Sequence, residues 1–128
     1  TITVRATSSD GSFTDQSFTV TINDLDEFNV GAVTDTNATT NNVDENASVG
    51  TVVNITGLAA DADATNNTIN YSLQNSDSGR FQIDSITGVV TVAGAIDREA
   101  DGASRTITVR ATSSDGSFTD QNFNIVIN

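Results

Sequence analysis

Residues Thr106–Gln121 read TITVRATSSDGSFTDQ, and residues Thr1–Gln16 read the same letters. In the second copy Ile107, Val109 and Ala111 alternate with Thr108 and Arg110, the period-two pattern of a strand buried on one face. Ser114-Asp115-Gly116-Ser117 supplies turn chemistry. Phe123, Ile125 and Ile127 then alternate with Asn122, Asn124 and Val126, which predicts the returning strand of a hairpin. Residues 2–22 predict the same hairpin earlier, at an offset of 106 − 1 = 105 residues. Identity over such a stretch points to recent tandem duplication. The period exceeds that of solenoid repeats, so each repeat is expected to be a domain of its own. The expected layout is a C-terminal hairpin of a preceding repeat (1–23), an inter-repeat linker (24–28) and one full repeat (29–128). Thr1 is not a natural start, so the chain is expected to be an internal fragment of a longer parent.

Further strands follow upstream of residue 106. Val43–Ala47 predicts a short one; Val53 and Ile55 begin another near Gly50-Thr51, with Gly57 as a bulge. Ile69, Tyr71 and Leu73 alternate; Phe81 and Ile83 make a short strand; Val90 and Val92 follow the turn at Thr87-Gly88. About seven strands at this spacing predict an all-β, seven-stranded Greek-key β-sandwich. No segment carries a helical stripe. Arg5, Arg80 and Arg110 read as solvated strand residues.

Only 36% of the 128 residues are hydrophobic, so Val, Ile, Leu, Ala and a few Phe must build the core. Seventeen acids against five bases, with no His, give a net charge of −12. Such a surface repels nucleic acid and anionic membranes and attracts divalent cations; part of the acidity serves solubility. With no Cys there is neither a disulfide nor a thiolate zinc site. His-based triads and thiol nucleophiles are excluded as well. Paired carboxylates can hydrolyse glycosides, but so few aromatics make a poor sugar platform, and no Gly-rich phosphate loop is present. The chain therefore reads as a non-enzyme. The N-x-S/T triplets at Asn37, Asn46, Asn54 and Asn66 are expected by chance in an Asn/Thr-rich chain.

Three acidic clusters fall between strands: Asp24-Leu25-Asp26-Glu27, Asp61-Ala62-Asp63, and Asp97-Arg98-Glu99 with Glu45 expected nearby. Crowded carboxylates repel by about 1 kcal/mol per close pair in water, whereas calcium takes several such oxygens at once. The order Glu45-Asn46, Gly50-Thr51, Asp61-Ala62-Asp63, Asn70-Tyr71-Ser72-Leu73, Phe81-Gln82-Ile83-Asp84, Thr87-Gly88 and Asp97-Arg98-Glu99 resembles a cadherin repeat, and Ile22–Glu27 resembles the cadherin interdomain linker.

The resemblance looks closest to the immunoglobulin-like extender repeats of giant bacterial RTX-type adhesins. It implies Ca²⁺ at the junctions between repeats, stiffening a rod that projects a distal binding domain from the bacterial cell surface. It also implies ligand roles. Glu45, Asp97 and Glu99 resemble ligands offered to the C-terminal junction, Asn23, Asp24 and Asp26 the linker ligands, and Asp61 and Asp63 those offered to the N-terminal junction. Two departures stand out: the linker lacks the family's terminal proline, and Asp115 lies two positions later than the family's spacing, as a ninth candidate. The expected partners are adjacent repeats stacked head-to-tail, with self-association through the spare hairpin, and neither nucleic acid nor direct membrane contact. The competing reading is a calcium-dependent homophilic or polysaccharide-binding module.

Overall fold

The computed structural model describes residues 1–128 and contains ten strands and one short helix. β1 (Ile2–Thr7) and β2 (Phe13–Phe18) pair only with each other. The remaining strands form two four-stranded sheets. One has the order β4-β10-β9-β6, from β4 (Asn42–Val43), β10 (Phe118–Ile127), β9 (Ser104–Ser113) and β6 (Ile69–Asn75). The other has the order β3-β5-β8-β7, from β3 (Thr34–Asp35), β5 (Val52–Leu58), β8 (Val89–Val92) and β7 (Phe81–Ile83). The segment 34–43 divides itself between the sheets: β3 runs antiparallel to β5, and β4 runs parallel to β10. Counted as one sheet-switching strand, it makes the expected seven. This is an all-β sandwich in which one strand links the two layers along an edge.

The alternation read in the sequence is the packing. Val53 and Ile55, Val90 and Val92, Ile107, Val109 and Ala111, and Ile125 and Ile127 are sealed from solvent, with Phe81 as the largest fully buried side chain. Tyr71 closes one end of the core, its hydroxyl accepting a hydrogen bond from the Ala59 N–H at 3.0 Å.

Four expectations are corrected. Phe123 is only partly buried and packs at the margin of the core, whereas Ile125 and Ile127 on the same face of β10 are sealed. The irregularity in β5 lies between Val52 and Thr56, where Asn54 takes φ 62, and not at Gly57. Asn tolerates that left-handed backbone, and its side chain donates to the Thr40 carbonyl at 3.0 Å. Arg98–Asp101 form a one-turn helix, α1, too short to leave a hydrophobic stripe; Asp97 caps it by accepting the Ala100 N–H. Arg80 lies before β7 and is half-buried in an ion pair with Asp101 rather than solvated on a strand.

The first hairpin keeps the register of its duplicate: Ile2 faces Phe18 as Ile107 faces Phe123. Its apolar residues, however, meet no body. Ile2, Val4, Phe18, Val20 and Ile22 are all exposed.

The tightest backbone approach sets the turn before β8 against strand β5. Gly88 has φ +70, and a Cβ there would stand 2.2 Å from the Gly57 carbonyl oxygen. Gly88→Ala should therefore destabilise the sandwich by about 1–3 kcal/mol. Phe81→Ala should cost about 3–5 kcal/mol, and Phe123→Ala clearly less. Urea unfolding of the three variants in EDTA checks this ranking.

Candidate metal centres

β9 is ten residues long, which at roughly 3.3 Å per residue sets its ends about 30 Å apart. A cluster of carboxylates sits at each end.

Beyond the C-terminal end of β9, the chain leaving β5 folds through two successive side-chain turns. Asp61 Oδ1 accepts the Asp63 N–H at 3.1 Å, and Asp63 Oδ1 accepts the Thr65 N–H at 3.2 Å. Short carboxylates favour such turns because they can reach the backbone two residues on. Asn67 holds the loop from below, donating to the Asp63 carbonyl at 2.7 Å. The linker closes over it. Glu27 N–H donates to Asp63 Oδ2 at 2.9 Å, and the Thr65 hydroxyl pairs with Asp24 Oδ2 at 2.8 Å. Asp24, Glu27 and Asp63 thereby offer oxygens that all lie within 4.8 Å of one another. Asp63 is 4% exposed.

Two features make this end electrostatically unfinished. Asp61 Oδ2 is buried with no hydrogen-bond partner, which is costly for a carboxylate oxygen. Asp26 is pushed above the usual carboxylate range by desolvation and by the charges of Asp115, Asp63 and Asp61. Asp63 moves the other way, held down chiefly by the backbone N–H groups of Thr65 and Glu27. In acid the two act oppositely. The contribution of Asp63 to stability is lost as pH falls through its lowered pKa, whereas the charge on Asp26 penalises the fold as pH rises through its raised one. No basic side chain takes part.

Asp115, the ninth candidate, lies close enough to Asp26 for its charge to raise the Asp26 pKa. Its own bonds belong to the hairpin turn: it accepts the Ser117 N–H at 2.6 Å and pairs with the Ser117 hydroxyl at 3.0 Å. Asp10, its duplicate, bonds Ser12 in the same way with no body nearby. Asn23 is exposed beyond the end of β2.

At the other end Glu45, Asp97 and Glu99 converge within 4.8 Å. Glu45 Oε2 accepts the Arg98 N–H at 3.2 Å, and Asp97 Oδ1 caps α1 at 3.0 Å. Asn128, the duplicate of Asn23, lies beside them, its carbonyl taking the Glu45 N–H at 3.2 Å and its side chain donating to Asp44 at 3.0 Å. The sequence reading passed over Glu27, Thr65 and Asp44. Glu27 stood inside a quoted acidic run, whereas only the folded loop brings Thr65 to Asp24.

Two sheets with a sheet-switching first strand and acidic loops at both ends invite comparison with known domains. The sequence profile of the Cadherin domain family matches residues 39–128. The chain belongs to the cadherin family. Cadherin-20 of Xenopus laevis is 46% identical over 59 residues, 44% of this chain and 7% of that protein. A crystal structure of mouse cadherin-23 EC22-24 superposes with a TM-score of 0.72 at 27% identity, covering 98% of this chain and 41% of the other. Protocadherin gamma B7 extracellular cadherin domains 1-4 share the fold at 16% identity, with a TM-score of 0.68 over 99% of this chain and 39% of the other. The chain thus spans well under half of these relatives. The 98% coverage by cadherin-23 takes in nearly all of the hairpin and linker as well as the sandwich.

The crowded acids around Asp26 yield a signed prediction. Asp26→Asn removes one of the mutually repelling charges, so it should raise the melting temperature in EDTA and reduce the further rise that calcium gives. Paired thermal melts check both signs. A variant no more stable than the parent without metal would show that the crowding is not felt.

Proposed function

We propose that this cadherin domain is a calcium-rigidified spacer repeat of a large bacterial cell-surface adhesin, one of a tandem series projecting a distal binding domain. The observation that carries the calcium reading is the buried, partnerless Oδ2 of Asp61, set among Asp24, Asp26, Glu27, Asp63 and Asp115 without a balancing base. The donor set fits a hard cation: calcium takes about six to eight oxygens from carboxylates, carbonyls and amides, and carboxylates, Asn side chains and loop carbonyls are what both ends present. Asp61, Asp63, Asp24 and Glu27, with Asp26 and Asp115, would hold it at the linker. Glu45, Asp97 and Glu99 would hold it at the other end, where Asn128 occupies the place that Asn23 holds for a preceding repeat.

The spacer reading rests on the duplication of Thr1–Gln16 as Thr106–Gln121. Repeats kept nearly identical suit a part whose task is length and stiffness. A bound cation would cancel the repulsion that otherwise lets the linker swing. It would also serve as a staple in a chain without disulfides. In this reading residues 1–23 end one repeat, 24–28 join, and 29–128 form the next. The surroundings are extracellular, the partners are neighbouring repeats, and no helix is long and apolar enough to cross a membrane. The second reading, a homophilic or polysaccharide-binding cadherin module, draws on the 46% local identity with cadherin-20 and predicts self-association or glycan-array binding by the single repeat.

Because calcium would bind the folded state preferentially, it should raise the melting temperature above that in EDTA, by about 2.7 kcal/mol of stability at a hundredfold excess over Kd. Titration calorimetry should show Asp61→Ala/Asp63→Ala losing calcium at the linker and Asp97→Ala/Glu99→Ala losing it at the far end. Equal melting temperatures and unchanged stoichiometry in both double variants would remove the calcium reading. The mechanical part is tested separately by small-angle scattering on residues 24–128 joined twice in tandem. Calcium should lengthen and stiffen that particle, and an unchanged maximum dimension would remove the spacer role alone.

A further inference from the structure

The far-end cluster stands on a second array of charges that its own ligands do not include. Arg80 grips the Asp101 carboxylate through Nε, at 3.0 Å from Oδ2, and through Nη2 to Oδ1. The same Oδ2 accepts the Asp97 N–H at 3.1 Å. Arg105 donates to the Asp101 carbonyl at 2.5 Å and grips Asp77 through Nε at 2.7 Å and through Nη2. Arg80 then closes the ring by donating to the Asp77 carbonyl at 3.2 Å. The carboxylates are nearly buried, with side-chain exposures of 9% at Asp101 and 11% at Asp77, and both arginines are about three-quarters covered. The ring also pins a difficult piece of backbone, since Asp77, Ser78 and Gly79 take φ 53, 55 and 82 in succession.

We infer that Arg80, Arg105, Asp101 and Asp77 are positioning residues for the far-end metal centre. The inference rests on the calcium reading above. An isolated four-residue helix does not hold its shape in water, yet Asp97 and Glu99 depend on that turn to converge on Glu45. The ring supplies the missing order from outside: Asp101 holds the Asp97 N–H, and two bidentate arginines hold Asp101 and Asp77 to the body of the domain. Bidentate arginine pairs fix direction as well as distance. Such outer contacts keep metal ligands aimed before the ion arrives. The ring is neutral, so it orders the turn without lowering the negative potential that draws in a cation.

The sign of the response separates this role from general electrostatics. Removing an arginine makes the neighbourhood more negative, which by Coulomb's law strengthens cation binding. Loss of a positioning residue weakens it. The test is a calcium titration of the whole 128-residue chain by amide NMR. Arg98 and Ala100 report the far end, and Asp63 and Thr65 report the linker end. Arg80→Met and Arg105→Met should each raise the far-end Kd about ten-fold or more and leave the linker-end Kd unchanged. Arg110→Met removes a surface pair with Asp120 and should change neither. Arg80→Lys and Arg105→Lys keep the charge but lose the bidentate fork, and they should weaken the far end as well, which guards against a methionine variant that fails to fold. Far-end binding that is unchanged or tighter in the arginine variants would overturn the inference while leaving the calcium reading intact. No calcium-dependent shift at either end of the parent chain would overturn both.

Discussion

Ile107, Val109 and Ala111 on β9 and Ile125 and Ile127 on β10 are fully withdrawn from solvent, and the other elements are placed by the need to cover them. β6 pairs with the free edge of β9, and β4 with the free edge of β10. The opposing sheet brings Val53, Ile55, Val90, Val92 and Phe81 down onto this row. With only 36% hydrophobic residues and no cysteine, the chain has little apolar area to spare. Each fully buried aliphatic contributes on the order of 1.5–3 kcal/mol. A sandwich this lean becomes uniquely folded by sealing one continuous seam, and that seam runs from one acidic cluster to the other.

The duplicated hairpin separates what sequence dictates locally from what burial adds. Both copies have the same register, both carry the arginine–aspartate pair (Arg5–Asp15 and Arg110–Asp120), and both stack that arginine on a phenylalanine at about 4 Å. Their turns share the same aspartate–serine bonds. These features need no body. β1 and β2 cover the same span as Ile107–Thr112 and Phe118–Phe123 of the second copy, and β9 and β10 run on to ten residues where Ser104–Thr106 pair with Asn124–Val126. Val126 and Ile127 also pair with β4 on the other edge of β10, a contact that the first copy does not make. Cross-strand pairs write the hairpin; β4, β6 and the opposing sheet add burial of one of its faces.

This contrast explains how far the sequence could be read. Period-two alternation located the strands of the sandwich except the two-residue β3 and β4, because buried and exposed faces alternate on a half-covered sheet; the short strand expected at Val43–Ala47 is Asn42–Val43, and residues 44–47 lie outside any strand. It could not place the division of segment 34–43 between two sheets, since two-residue pairings carry no period. It missed α1, whose single turn depends on the Asp97 cap and the Asp101 ring. It misplaced Phe123 because a strand's pattern says which way a side chain points and not how deeply it is buried. Of the acidic residues, the runs were visible as runs. The company of Glu45 with Asp97 and Glu99 was expected from the sequence, and the fold brings the three within 4.8 Å of one another. The burial of one Asp61 oxygen was not legible at all, because it follows from the loop wrapping around it.

The acidic ends and the lean core are two sides of one design. Polar satisfaction elsewhere is thorough: Ser113 donates to the Asn66 carbonyl, Asn75 to the Thr106 carbonyl, and Asn54 to the Thr40 carbonyl. Against that background the unanswered Asp61 oxygen and the mutually repelling Asp26, Asp63 and Asp115 are local conflicts, and such conflicts concentrate where function resides. Loop acids that destabilise the bare domain make its stability depend on what neutralises them. The far end is built differently: Asp97 and Glu99 are exposed and Glu45 is half-buried, but the turn that carries Asp97 and Glu99 is held by a half-buried ring of four charges. Breaking one member of such a ring leaves the others uncompensated, so order at the cluster is tied to order in the loop 77–80 and at the start of β9.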